Sequence, residues 1–177
     1  MKVYLIRHSE PDYSQVDSAN LVGHGRDLSH LSERGIALAE TTSHNPIFEK
    51  VQIIVSSPYT RALQTAAELI KNNHIPLQVE LGLMEWQPDK SGKLLKSASD
   101  AELAHREFLK NNGKSNPNYP LPYESRSEII ERVNAIFAEY SRNYSCIACV
   151  THGVVIRQFL NLENINYCEI HEYEYIK

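Results

Sequence analysis

Three apolar runs in this chain of 177 residues each lead to a side chain able to hold or attack an anion. Val3-Tyr-Leu-Ile6 ends in Arg7-His8. Ile53-Ile-Val55 runs through Ser56-Ser-Pro-Tyr-Thr to Arg61, and Ile147-Ala-Cys-Val150 runs through Thr151 to His152-Gly153. Taken singly, an arginine after a strand reads as a surface ion pair, and a histidine as a hydrogen-bonded core residue. The joint pattern reads differently. In open α/β sheets the carboxyl ends of the strands line the ligand crevice, beside helix N-termini whose free N–H groups favour anions. Arg7, His8, Arg61 and His152 are therefore expected to converge there from distant parts of the chain. Two forked guanidiniums offered to one anion suit a phosphate.

The elements that must position them are legible in outline. Lys2 to Ile6, Gln52 to Val55, Leu77 to Leu81 and Cys146 to Val150 read as short apolar strands. Leu31 to Thr41 reads as a helix with Ser32 as its N-cap, and Ser56-Ser57-Pro58 as a serine cap with proline opening a helix through Ile70. Ser99-x-x-Glu102 has the form of a capping box for a helix ending near Gly113. Ile129, Ile130, Val133, Ile136 and Phe137 give helical spacing across Arg126 to Tyr140. Val154 to Leu160 begins another helix, and Tyr167 to Ile176 reads as an edge strand. Strands alternating with helices predict an α/β fold with a mostly parallel sheet between helical layers. The absence of repeats or linkers predicts one domain over 1–177.

Composition narrows the partners. The chain is 42% hydrophobic and 23% charged, an ordinary globular balance, with a net charge of −4 and a pI near 6.1. That balance gives no reason to expect a nucleic acid or a membrane, so any anion site must be local. Val3 to Ile6 is stopped at once by Arg7, which is not the pattern of a secretory signal. Cys146 and Cys149 form a C-x-x-C, but on a strand residues three apart face opposite sides. No second pair completes a metal set. Both are read as core thiols, which points to the cytoplasm.

Leu5-Ile-Arg-His-Ser-Glu10 resembles the Arg-His-Gly motif of the histidine phosphatase superfamily, which also holds the cofactor-dependent phosphoglycerate mutases. Leu31-Ser-Glu-Arg-Gly35, Ser56-Ser-Pro-Tyr-Thr-Arg-Ala-Leu-Gln-Thr-Ala66, Leu83-Met-Glu85, Glu124-Ser125 with Arg132, and Val150-Thr-His-Gly-Val-Val-Ile-Arg157 are similar to its later motifs, in order. The resemblance implies a three-layer α/β/α sandwich, phosphoglycerate mutase-like. It implies His8 as a nucleophile forming a phosphohistidine, Arg7, Arg61 and His152 as phosphate ligands, and Glu85 as the acid and base. Glu80 and Glu10 compete with Glu85; the loop after a strand faces the crevice and favours Glu85. No metal and no cofactor are implied.

Ser9 stands where the motif usually has glycine, so it either donates to the phosphate or narrows the pocket. Ser9, Glu10, Gly23 and Gly153 are the further candidates for substrate contact, and His24 could border the pocket. Trp86 to Ser127, at about 86–127, falls where the family places its variable lid. It carries seven Lys or Arg against five Asp or Glu, which reads as a solvated face or as a match for a second acidic group on the substrate. The compact length favours a phosphatase acting on a small phosphorylated metabolite over a mutase. A protein phosphatase and a non-catalytic binder of phosphorylated ligands are the other readings, and a protein partner stays unassigned.

Overall fold

The computed structural model describes residues 1–176. Strand β1 spans Lys2–Arg7, β2 Pro11–Asp12, β3 His30–Leu31, β4 Ile53–Ser56, β5 Leu77–Val79, β6 Cys146–Thr151 and β7 Ile170–Glu174. Helix α1 spans Ser14–Ser18, α2 Glu33–Ser43, α3 Thr60–Lys71, α4 Ala98–Lys110, α5 Arg126–Tyr140 and α6 Gly153–Ile156. Among the described residues, five strands form one sheet in the order β5-β4-β6-β1-β7, parallel except for β7 at the edge. β2 and β3 make a separate short ribbon.

Strand alternation divides the core into two. Val3, Leu5, Ile53, Val55, Ile147 and Cys149 face a layer that includes Ile129, Val133 and Phe137 of α5 and Phe108 of α4. Tyr4, Ile6, Ile54, Cys146, Ala148 and Val150 face Ala62, Ala66 and Leu69 of α3, against which α2 packs. The result is the expected three-layer sandwich. Its central strands are apolar on both faces because both faces are covered, and each fully buried Leu or Ile contributes roughly 1.5–3 kcal/mol. Cys146 and Cys149 fall into opposite cores as free thiols. No helix among the described residues is long and apolar enough to cross a membrane.

Helix α5 has the expected bounds, and a capping box closes its start: Ser125 accepts from the Glu128 N–H while the Glu128 carboxylate accepts from that of Ser125. Ser32 caps α2 as expected, accepting from Gly35 N. Other starts and ends shift. Helix α3 begins at Thr60 after Tyr59, not at Pro58; the Ser57 hydroxyl accepts from Tyr59 N at 3.3 Å just ahead of it and pairs with His152 across the sheet. Helix α4 is capped by Ser97 rather than Ser99, with Asp100 N–H donating to it. After Val79 the chain leaves the sheet for a 3-10 turn at Leu81–Leu83, so β5 is shorter than expected. Helix α6 is a four-residue piece.

The segment 86–127 is polar in composition, yet Trp86, Ala104, Phe108, Leu121 and Tyr123 join the core on the α5 side. Tyr123 is buried and its hydroxyl donates to the Lys114 carbonyl, so the Tyr119–Tyr123 stretch is a packed loop.

Candidate functional site

β1, β4 and β6 are the adjacent central strands and run parallel, so their carboxyl ends share one edge of the sheet. Arg7 pairs in register with Thr151, and Ser56 with Val150. The next residues on the three strands are therefore His8, His152 and Ser57. The sheet register alone brings them together.

His8 is buried, and its two ring nitrogens have different partners. Nδ1–H donates to the Ser9 carbonyl at 2.7 Å, which leaves the Nε2 lone pair free to accept from Arg61 Nε at 3.3 Å. Burial and the positive charges of Arg61 and Arg7 push the imidazole down to about 3, against the Ser9 carbonyl, which favours the charged form. The ring is neutral at physiological pH, with its basic nitrogen fixed in direction.

Around that nitrogen stand cations and a second imidazole. Arg61, on the first turn of α3, is buried despite its charge. The His152 ring centre lies 5.0 Å from that of His8, and its Nε2 pairs with Ser57 Oγ at 2.8 Å. The Arg7 guanidinium lies 4.2 Å over the Tyr167 ring, and one of its nitrogens donates to the Ile165 carbonyl. Arg7 Nε and His152 Nδ1 are buried without a hydrogen-bond partner among the described residues. Buried unpaired donors cost roughly 1–3 kcal/mol each, so natural sites keep them for a ligand or a catalytic purpose.

Glu85 reaches the same edge from the loop after the 3-10 turn. Its two carboxylate oxygens accept from Trp86 N at 2.8 Å and Val154 N at 3.3 Å. Burial raises its pKa over the opposing effect of those two N–H groups. The loop is braced from behind by Arg132, which donates to the carbonyls of Gly82 and Glu85 and pairs with the Glu124 carboxylate. Of the competitors, Glu80 accepts from the Tyr140 hydroxyl and Glu10 accepts from Ser32 Oγ beside Arg34. Both lie outside the His8 cluster.

The other candidates divide. Ser9 is fully buried, but its hydroxyl donates to the Gly35 carbonyl and its N–H to Thr65 Oγ1. Its hydroxyl thus has a partner on α2 within the fold. Glu10 is likewise drawn to the start of α2, where its carbonyl sits so close to Gly35 that no side chain fits there. Gly23 has φ +55 and lines the adjoining cavity with His24. Gly153 packs beside Arg7, with a Cβ position only 3.7 Å from Arg7 Nε.

Sequence reasoning missed Ser57 as a partner of His152, reading it as a helix cap. It also missed Asp27 and Tyr59. Asp27 Oδ1 lies 3.4 Å from Arg61 Nη1, and the Arg61 guanidinium is 5.0 Å from the Tyr59 ring centre. Position at a strand's carboxyl end was a signal for Ser57; Asp27, on the 3-10 segment Gly23–Leu28, carried none.

The two buried histidines set a pH dependence. Burial, with the neighbouring positive charges, also holds His152 well below its ordinary value. An unfolded histidine takes up a proton near pH 6.5, so below that pH the unfolded chain binds more protons than the folded one. Stability is expected to fall as pH drops from about 6.5 towards about 3. Glu85 and Asp27, with pKa values raised by burial, work in the opposite direction, so the histidine share is read from the comparison with a histidine variant. Thermal unfolding at pH 7 and pH 5 should show the drop, and His152→Gln should flatten it; equal slopes in both proteins would contradict the assignment.

The chain has relatives among known proteins. Residues 3–174 match the family model described as the histidine phosphatase superfamily, branch 1. A Hydrogenobacter thermophilus protein named "Putative phosphoserine phosphatase 2" is 31% identical over 175 residues, covering 93% of this chain and 82% of that one. Among solved structures, Bacillus stearothermophilus YhfR superposes with a TM-score of 0.71 at 19% identity, over 98% of this chain and 90% of that chain. The mycobacterial glucosyl-3-phosphoglycerate phosphatase superposes at 0.69 and 21% identity, over 97% and 88%.

Proposed function

The chain belongs to the histidine phosphatase superfamily, branch 1, as an enzyme of the phosphomonoester-hydrolase kind, and we propose that it hydrolyses a small-metabolite phosphomonoester through a phosphohistidine on His8. The observation that carries this reading is the His8 ring, with Nδ1 tied to the Ser9 carbonyl and the lone pair of Nε2 beside Arg61. Nucleophilic catalysis needs this directed, neutral nitrogen, while a module that only bound phosphate would need the cations alone.

In the first step His8 Nε2 attacks phosphorus and the ester P–O bond breaks. The Glu85 carboxyl gives its proton to the leaving oxygen, a role its raised pKa suits. Arg7, Arg61 and His152 hold the three phosphoryl oxygens as charge redistributes in line. In the second step the Glu85 carboxylate takes a proton from water, whose oxygen attacks phosphorus. The P–N bond breaks, the electron pair returns to Nε2, and inorganic phosphate leaves. The two guanidiniums supply the fixed positive charge for both steps.

The phosphoserine and glucosyl-3-phosphoglycerate named for the relatives are small-molecule esters. A cavity of about 390 Å³ beside Glu85 supports a leaving group of that scale rather than a protein surface. The free thiols suit a reducing compartment such as the cytoplasm. Purified protein is expected to turn over small phosphate esters, including an aryl ester, with a chelator present. Loss of all turnover on chelation, or none with any ester of the panel, would contradict the reading.

A further inference from the structure

The cavity beside Glu85, Tyr59 and Asp27 has an apolar wall built from Val22, Trp86, Leu95, Ala98 and Ala101. Its charged lining is acidic on balance. Arg26 is the one Lys or Arg among the described lining residues; it is ion-paired to Asp17 and stacked 4.4 Å over the Tyr13 ring. Asp27 and Asp89 line the cavity as well, with Glu85, which enters the proposed reaction protonated and adds no charge. The Asp89 carboxylate is spent on the backbone N–H groups of Ser91, Lys93, Leu94 and Leu95, which shapes the turn that walls the cavity. Asp27 is the carboxylate nearest the phosphate ligands, 3.4 Å from Arg61 Nη1 and 3.3 Å from His24 Nδ1. None of the seven Lys or Arg of 86–127 lines the cavity, and Lys90 is paired with Glu128 at 2.6 Å.

A phosphoryl dianion seated on Arg61 shares that guanidinium with Asp27. A second negative charge on the leaving group would then meet Asp27 with no unpaired Lys or Arg in the lining to offset it, since Arg26 is held by Asp17 and His24 by Asp27 itself. We propose that this cavity selects phosphomonoesters whose leaving group is an uncharged or cationic alcohol, and that Asp27 enforces the selection against a second anion. The proposal rests on the phosphatase reading above, narrows its substrate class, and sets this chain apart from the relatives named for phosphoserine and glucosyl-3-phosphoglycerate, whose leaving groups carry a carboxylate. It also turns aside the match between a basic lid and an acidic substrate that composition allowed.

A pair of esters equal in size and shape tests it: 4-carbamoylphenyl phosphate and 4-carboxyphenyl phosphate differ by one charge. Trp86 is the only tryptophan of the chain and lines the cavity, so its fluorescence reports binding to His8→Ala independently of turnover by the wild type. The amide ester is expected to bind, and to be hydrolysed, roughly tenfold better than the carboxylate. Asp27→Asn should close most of that gap by improving the carboxylate, and if that variant does not fold the wild-type pair alone decides the selection. Equal or stronger binding of the carboxylate would overturn the proposal, as would an unchanged gap in folded Asp27→Asn. Preferential binding of the amide with turnover of neither ester would count against the phosphatase reading and leave the charge selection standing. Turnover of both at equal kcat/KM would do the reverse, and failure of both to bind would overturn both.

Discussion

Replacing His8 with alanine is expected to lower phosphate-ester hydrolysis by roughly 10³-fold or more while leaving the protein folded. The loss should appear in kcat, because the groups that would bind phosphate remain. Arg61 stays anchored by Asp27, and His152 by Ser57. The backbone bond from His8 N to the Thr151 carbonyl, which ties the loop to β6, does not depend on the side chain. The depressed pKa of His8 costs stability only below about pH 6.5, so the variant's melting temperature should fall less than the wild type's between pH 7 and pH 5. Steady-state kinetics beside circular dichroism separate the cases. Folded His8→Ala with near wild-type kcat would remove the nucleophile from the account.

Glu85→Gln should have the second largest effect, and the effect should depend on the ester. The glutamine keeps the shape and, with one acceptor oxygen, can keep one of the two bonds from Trp86 and Val154 N–H, but it cannot give the proton a carboxylic acid gives. An alkyl ester, whose alkoxide leaves poorly, should lose about 10²- to 10⁴-fold in kcat. An ester of 4-nitrophenol, whose anion leaves without a proton, should lose far less when phosphohistidine formation limits the rate. The pH profile supplies a second readout. With the Glu85 pKa raised by burial, the wild-type kcat/KM for the alkyl ester falls as pH rises through that value, and the variant lacks this limb. Glu80→Gln serves as the comparison, since the Glu80 carboxylate bonds Tyr140 away from the cluster. A loss of kcat/KM in Glu85→Gln equal for both esters would remove Glu85 as the acid, because kcat/KM reports cleavage of the ester bond and not the later hydrolysis.

The strand ends were legible because a short apolar run stopped by a charge fits little besides a buried strand leaving the core. Parallel register then carries Arg7, His8, His152 and Ser57 to one edge. Helix α5 was legible to the residue because its apolar spacing and its flanking polar residues agree. Glu85 could be preferred to Glu80 and Glu10 from its place in a loop, and the hydrogen bonds to Trp86 and Val154 are consistent with that choice.

What was not legible depended on where a side chain turns. Ser9 was read by its place in the motif, yet its hydroxyl finds the Gly35 carbonyl on α2, a partner 26 positions away. Ser57 has the composition of a cap, and only the neighbouring strand supplies the His152 nitrogen that claims it. Asp27 sits in a 3-10 segment without apolar periodicity, so nothing local linked it to Arg61. In the segment 86–127 average polarity hides the core burial, which rests on a few widely spaced residues such as Trp86, Phe108 and Tyr123.

The central claim is the covalent one, and trapping the intermediate tests it most directly. Protein mixed with a 32P-labelled phosphate ester and quenched in alkali within a turnover should carry label that survives base, is released by mild acid, and maps to His8. His8→Ala should take up none. Label on a serine, which acid would not release, or turnover in the wild type with no labelled protein at any time while product accumulates in a burst, would contradict the account.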